Sequence, residues 1–271
     1  MAKADSGADH GHFARKQLSS SSRLVSWVHR SRFERAQELF ELFGGGSVVD
    51  VGCGDGTFLA MLMRSSSPPV KALGIELRQV VVDDCRSRYG DVEGLEFMVR
   101  TGSFVDDNER AFDTVICMEV LEHVIALEDA VRDLARITSP GGRVIISVPV
   151  ETGIPLLAKQ VLRTVLGWRG VGDYPGITPY SSGELWKSIV AGERQHIVRP
   201  ELEEAGLVSY DHKGFNWRVL KRLLERHFHL ERVTGTPLPW LPPSLNSQVW
   251  FVGTLVSDRV GAQPELQNRE R

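Results

Sequence analysis

An apolar run, Val48-Val-Asp-Val51, breaks directly into Gly52-Cys-Gly-Asp-Gly56, and a helix-like segment follows from Phe58 to Met63. A strand that ends in closely spaced glycines lets the backbone approach a ligand that a Cβ would push away. A nucleotide-like ligand then sits beyond the carboxyl end of a parallel strand, near a helix N-terminus. Two acids accompany the turn: Asp50, two residues before the first glycine, and Glu76, which ends a second apolar run starting at Lys71. An acid about 20 residues past the glycines is placed to grip ribose hydroxyls.

Strands and helices alternate through the next hundred residues. Apolar runs predict strands at Ser47–Val51, Lys71–Ile75, Leu95–Val99, Thr114–Met118 and Arg143–Val148. Helical spacing predicts helices at Ser31–Phe43, where Phe33, Ala36, Leu39, Phe40 and Phe43 share a face, and at Thr57–Arg64, Arg78–Arg88 and Ala126–Ile137. Such alternation calls for a parallel sheet covered on both faces. Farther on, a helix from about Asn216 to His227 precedes a Pro-rich hairpin with strands His229–Val233 and Gln248–Val256. The chain of 271 residues allows one sizeable α/β domain with an elaboration, or two small ones. Its net charge of −3 carries no nucleic-acid-binding signature. The basic stretch Arg218–Arg226 reads as the solvated face of an amphipathic helix.

Cys53, Cys85 and Cys117 lack metal-ligand spacing and read as free thiols in a reducing, cytoplasmic setting. No leader or membrane-length apolar run is expected. Residues 1–22, with Ser19–Ser22, and residues 261–271 read as flexible tails.

Asp50-Val-Gly-Cys-Gly-Asp-Gly56 resembles the first motif of class I S-adenosylmethionine (SAM)-dependent methyltransferases, and Gly74-Ile-Glu76 resembles their second-strand acid. Two further stretches match in order. Phe112–Val124 resembles their fourth strand and its exit loop, and Ser139–Pro149 resembles their turn and fifth strand. The resemblance covers residues 30–150 strongly and 211–256 more loosely. A dehydrogenase fingerprint would space its third glycine later; here Asp55 stands inside the loop, which suits a cofactor with cationic sulfonium and amino groups. The resemblance implies a Rossmann-like, seven-stranded, mostly parallel sheet with an antiparallel last strand. It also implies that Asp50, Gly52, Cys53, Gly54, Glu76 and Met118 bind SAM. The family's usual acid after the third strand is missing from Arg100-Thr-Gly-Ser-Phe104, so Gly102, Ser103 or Phe104 is expected to cover the adenine there through backbone bonds or packing.

The interval from Val150 to Asp211 is longer than the fold requires. It holds a predicted helix, Ile154–Leu166, and the aromatics Trp168, Tyr174, Tyr180 and Trp186. It is expected to form a cap over the acceptor pocket, or else a surface for dimerisation. The organisation is then a SAM-binding core at 23–149, a helical cap insertion at 150–210 and the rest of the core at 211–260.

Methyl transfer from SAM needs an acceptor oxygen held near the methyl carbon and a group to take its proton. Glu119-Val-Leu-Glu122-His123 follows the fourth strand, and a helical turn there would put Glu119, Glu122 and His123 on one face. Two carboxylates and an imidazole suit a divalent cation. The pattern resembles ubiquinone-pathway catechol O-methyltransferases and small-RNA 3′-end 2′-O-methyltransferases, which bind Mg or Mn. The latter complete their site with a later histidine, and Tyr210-Asp-His212-Lys-Gly-Phe-Asn-Trp-Arg218 is similar apart from one inserted residue. That resemblance implies Glu119, Glu122, His123 and His212 as metal ligands. Both groups methylate one hydroxyl of a vicinal pair.

The same Glu-Val-Leu-Glu-His-Val occurs in metal-free methyltransferases that the chain resembles, where His123, then His212, would be the general base. His196, His227 and His229 read as surface or strand residues. The expected activity is O-methylation of a sugar or polyhydroxylated metabolite, a small molecule or oligosaccharide. Catechol or quinol acceptors, RNA 3′ ends and a SAM-binding scaffold without turnover remain as alternatives.

Overall fold

Strand β1 (Ser47–Val51) runs through the middle of a seven-stranded sheet. The computed structural model describes residues 23–168, 178–195, 197–204 and 206–256. The tails at 1–22 and 261–271, with Tyr174 and His196, lie outside the described residues.

The other strands are β2 (Lys71–Glu76), β3 (Leu95–Val99), β4 (Phe112–Met118), β5 (Thr138–Pro149), β8 (Phe228–Thr236) and β9 (Gln248–Leu255), in the order β3-β2-β1-β4-β5-β9-β8. The first five of that order are parallel, and the last strand, β9, lies antiparallel between β5 and β8. The chain steps outward from β1 to β3, then returns to lay β4 on the opposite side of β1. That reversal opens a crevice beyond the carboxyl ends of β1 and β4, where open α/β sheets bind ligands.

Side chains alternate across the sheet, which explains the nearly continuous apolar strands. Val49, Val115, Ile146 and Phe251 face one core with helices α5 (Leu127–Ile137) and α8 (Trp217–Leu224), together with the short α4 (Phe104–Asp107). Val48, Ile116, Ile145 and Trp250 face the other with α1 (Arg23–Phe43), α2 (Thr57–Met63) and α3 (Gln79–Tyr89).

Helix α1 begins at Arg23, eight residues before the predicted Ser31, and this longer helix carries Arg32 and Phe33 in its interior. β5 begins at Thr138, before the predicted Arg143, because Phe112 pairs with Thr138 across a register shift. Helix α8 is shorter than predicted: Asn216 caps it, its Oδ1 accepting from Arg218 N at 3.0 Å, and the chain turns after Leu224. Two of the basic residues of the 218–226 stretch are in ion pairs, Lys221 with Glu225 and Arg226 with Glu128, each at 2.6 Å, while Arg222 donates to the backbone carbonyl of Glu193.

The long interval holds α6 (Gly153–Trp168), α7 (Ser182–Ile189) and a hairpin of β6 (Glu201–Glu204) with β7 (Leu207–Tyr210). Ser181 and Glu184 form a reciprocal capping box at the start of α7. The hairpin is absent from the sequence expectation. Cys53, Cys85 and Cys117 are free and buried. Among the described residues, no helix is long and apolar enough to cross a membrane.

Candidate active site

A cavity of about 360 Å3 opens at the crevice, and its lining residues all fall between Arg32 and Val124. The glycine loop forms its floor. Gly52 N and Cys53 N both donate to Ile75 O, at 2.9 and 3.1 Å, which ties the turn to β2. Gly52 has φ 77°, and a Cβ there would meet Val120 Cγ2 at 2.4 Å. Gly56 is equally constrained, its would-be Cβ lying 2.7 Å from the Phe97 ring. Cys85 Sγ donates to Gly54 O at 3.3 Å from below.

Asp50, Gly52, Cys53, Gly54, Glu76 and Met118 all line the cavity. Asp50 is 1% exposed and its Oδ1 has no hydrogen-bond partner. Burial, then the Glu76 carboxylate, raises its pKa from the ordinary 3.8 to about 7. Asp55, expected to face the cationic cofactor, also lines the cavity, but its Oδ1 accepts from Thr57 N at 3.2 Å at the start of α2. The acid that meets the cavity with an unpartnered oxygen is Asp50.

Gly102 and Ser103 are not among the lining residues; Ser103 Oγ donates to Asp107 Oδ2 at 2.7 Å along α4. The third strand contributes Arg100 instead, held by Asp133 Oδ2 at 2.6 Å. Arg32 and Phe33 from α1, Phe58 from α2, and Leu77 and Arg78 after β2 complete the wall. No motif marks Arg32 or Phe33, because their place in the cavity depends on how α1 docks.

Beyond β4 the backbone departs from the expected single helical face. Glu119 takes a left-handed φ of 56°, and the turn starts only at Val120, where His123 N donates to Val120 O at 2.8 Å. Glu119 therefore leaves the helical face expected to hold it together with Glu122 and His123. It lines the cavity, with Oε1 accepting from Ser147 Oγ at 3.1 Å and Oε2 3.8 Å from Arg32 Nη1.

Glu122, His123 and His212 come together, with one ligand atom of each within 4.8 Å of the others. Glu122 is fully buried and neither carboxylate oxygen has a hydrogen-bond partner. Burial, then the nearby Glu119 carboxylate, raises its pKa well above the ordinary carboxylate range. His123 Nδ1 lies 2.9 Å from Tyr210 O. A carbonyl can only accept, so Nδ1 donates to it, and the lone pair of the neutral ring falls on Nε2, 3.9 Å from Glu122 Oε1. The His212 ring stands edge-on to His123 at 4.6 Å between centroids. Burial, then His123, lowers the His212 pKa and favours its neutral form. His123 also lines the cavity, so it joins the cluster to the glycine loop.

The doubly covered sheet, the glycine loop and the acids at the ends of β1 and β2 define a SAM-dependent methyltransferase. Residues 24–191 match the family described as methyltransferase domain, and the chain belongs to that family. Similar proteins include the ubiquinone biosynthesis O-methyltransferase of Neisseria meningitidis serogroup A, 26% identical over 66% of this chain and 70% of that one. The enzyme of the same name from Alkalilimnicola ehrlichii is 32% identical over 66% of this chain and 67% of that one. A protein of Pyrococcus horikoshii OT3 shares the fold with a TM-score of 0.58 at 16% identity, over 89% of this chain and 96% of the other. A SAM-dependent methyltransferase of Aquifex aeolicus does so with a TM-score of 0.52 at 14% identity, over 91% and 100%.

Proposed function

We propose that the protein transfers the methyl group of SAM to one hydroxyl of a vicinal pair on a small molecule, beside a divalent cation held by Glu122, His123 and His212. The observation that carries this reading is the position of His123, which belongs both to the cofactor cavity and to the three-residue cluster. The cluster's chemistry fits a divalent cation: a buried carboxylate with two unpartnered oxygens, a donor that suits Mg or Mn, beside two imidazoles, donors that suit transition metals. A cation bound there would lower the pKa of a chelated hydroxyl and hold both oxygens of the pair.

The chain's own groups account for the rest. Arg32 supplies positive charge for the cofactor's carboxylate, Asp50 and Glu119 supply negative charge, and Glu76 reaches the ribose hydroxyls. The acceptor oxygen attacks the methyl carbon in line, the carbon–sulfur bond breaks, and its electron pair stays on sulfur. Where His123 holds the cation, the acidified hydroxyl gives its proton to water; where no cation is held, His123 Nε2 is the site that receives it. Residues 150–210 act as a cap on the acceptor side, a reading supported by the contact of Tyr210 with His123.

The acceptor class follows from two observations. The relatives' names attach O-methyl transfer to ubiquinone biosynthesis, which favours an aromatic diol. Of the aromatics that suggested a sugar, Tyr180 uses its hydroxyl to accept from Gly214 N at 2.9 Å, and Trp186 is exposed. An aromatic vicinal diol is therefore ranked ahead of a sugar diol. The test is label transfer from methyl-labelled SAM into catechols, single phenols, sugars and small RNA, each with Mg2+ or Mn2+ and with EDTA. The expected result is label in catechols that vanishes with EDTA and in Glu122→Gln. Label unaffected by EDTA removes the cation and leaves His123 as general base; equal labelling of single phenols removes the vicinal pair.

A further inference from the structure

The two arms of the cluster come from distant parts of the chain, Glu122 and His123 from the loop after β4 and His212 from the end of β7. Arg199, 77 residues from Glu122, bridges them. Its Nη2 donates to the backbone carbonyl of Glu122 and, at 2.9 Å, to that of Asp211, the residue before His212. The guanidinium carbon lies 4.3 Å from the Tyr210 ring centre and 5.2 Å from that of Phe215. Its buried Nε has no hydrogen-bond partner, so two carbonyls and two rings hold the group. Alongside it, Tyr210 N donates to His123 O at 2.8 Å and Asp211 N to Pro200 O at 3.1 Å. The first bond secures the hairpin end against His123 and the second closes the hairpin itself, but neither touches Glu122.

We propose that Arg199 is a positioning residue that sets the separation of the Glu122–His123 arm from the His212 arm, so that the three side chains converge on one cation. This rests on the reading of those three residues as the cation site. A planar guanidinium can lie between two rings while donating to both carbonyls. Lysine's compact ammonium has no plane to stack and reproduces only part of that contact. Residues that orient metal ligands from outside typically change metal affinity by about 10- to 100-fold when replaced.

The experiment is Mn2+ titration of the full chain as wild type, Arg199→Met and Arg199→Lys, with SAM affinity and Tm measured on the same samples. Arg199→Met is expected to weaken Mn2+ binding by about tenfold or more, with Arg199→Lys between it and wild type and SAM affinity unchanged. An arginine that only stabilised the fold would lower Tm while the folded protein kept its Mn2+ affinity, and that result overturns the proposal. Should Arg199→Met not fold, Arg199→Lys carries the same expectation. Wild type that takes up no Mn2+ removes the cation reading itself. The clamp is then judged by the imidazole nitrogen resonances of His123 and His212, which move in Arg199→Lys if it positions them and overturn it if they stay.

Discussion

Replacing Asp50 with Asn is expected to stabilise the cofactor-free protein near and above neutral pH while weakening its hold on SAM. Asp50 is 1% exposed, has an unpartnered Oδ1, and keeps its proton up to about pH 7 rather than its ordinary 3.8. Below 3.8 the carboxyl is protonated in both the folded and the unfolded chain. Between 3.8 and about 7 only the folded chain keeps the proton, so stability falls as pH rises, and above about 7 the loss is complete. At about 1.36 kcal/mol per pH unit the interval corresponds to about 4 kcal/mol. Asn keeps the shape but cannot ionise, so this slope disappears; the two N–H donors it introduces trim the gain. Urea denaturation between about pH 5 and pH 9 reads the difference directly. The two stability curves should diverge up to about pH 7 and run parallel beyond it.

The same residue makes the opposite prediction for the cofactor. A cationic ligand favours the ionised carboxylate, so wild-type affinity for SAM should fall below about pH 7, by as much as about tenfold per pH unit. Asp50→Asn should bind more weakly and with a flatter pH profile in calorimetry. Stability curves of wild type and variant that stay parallel from pH 5 to pH 7 would refute the reasoning, as would undiminished SAM affinity in the variant.

Gly52→Ala forces a side chain into φ 77° and within 2.4 Å of Val120 Cγ2. The left-handed backbone alone costs about 1–2 kcal/mol, so Tm should fall and SAM affinity should drop by at least about tenfold in calorimetry. Arg32→Met removes a cation that lines the cavity. With a charged hydrogen bond contributing about 1.5–3 kcal/mol, SAM affinity should fall by about 10- to 100-fold, measured by the same titration.

The layout of the sheet was legible because it is written locally. Val48 and Val49 face opposite cores, so β1 reads as an apolar run broken only near its cavity end by Asp50, and the same rule makes β4 and β5 readable as runs. The glycine loop was legible for a related reason: φ 77° at Gly52 with Val120 overhead admits no other residue without strain, so the constraint marks the sequence itself. Glu119 leaves no such mark. Its left-handed φ of 56° is imposed by surroundings rather than by its residue type, and periodicity alone put it on a face with Glu122 and His123 that the backbone does not form. Arg100 was similarly hidden, since a charged residue ending β3 reads as solvated until its neighbours close around it.

The arrangement of the cluster follows the same division. His123 and His212 were each visible in a local pattern, but the 4.6 Å between their rings comes from a hairpin that periodicity did not predict. That hairpin is short, and its strand Leu207–Tyr210 is half-exposed, so it lacks the apolar run that announces a core strand. What holds it is a set of contacts to the β4 exit loop, among them Tyr210 with His123 and Arg199 with the Glu122 carbonyl. The Arg199 bond is accepted by a backbone carbonyl, and a carbonyl is present at every residue, so the Glu122 side chain does not record that pairing. The identities of candidate ligands can therefore be read from the chain, whereas the geometry that would make them a site is carried by Arg199 and Tyr210, whose roles emerge only once both segments are folded.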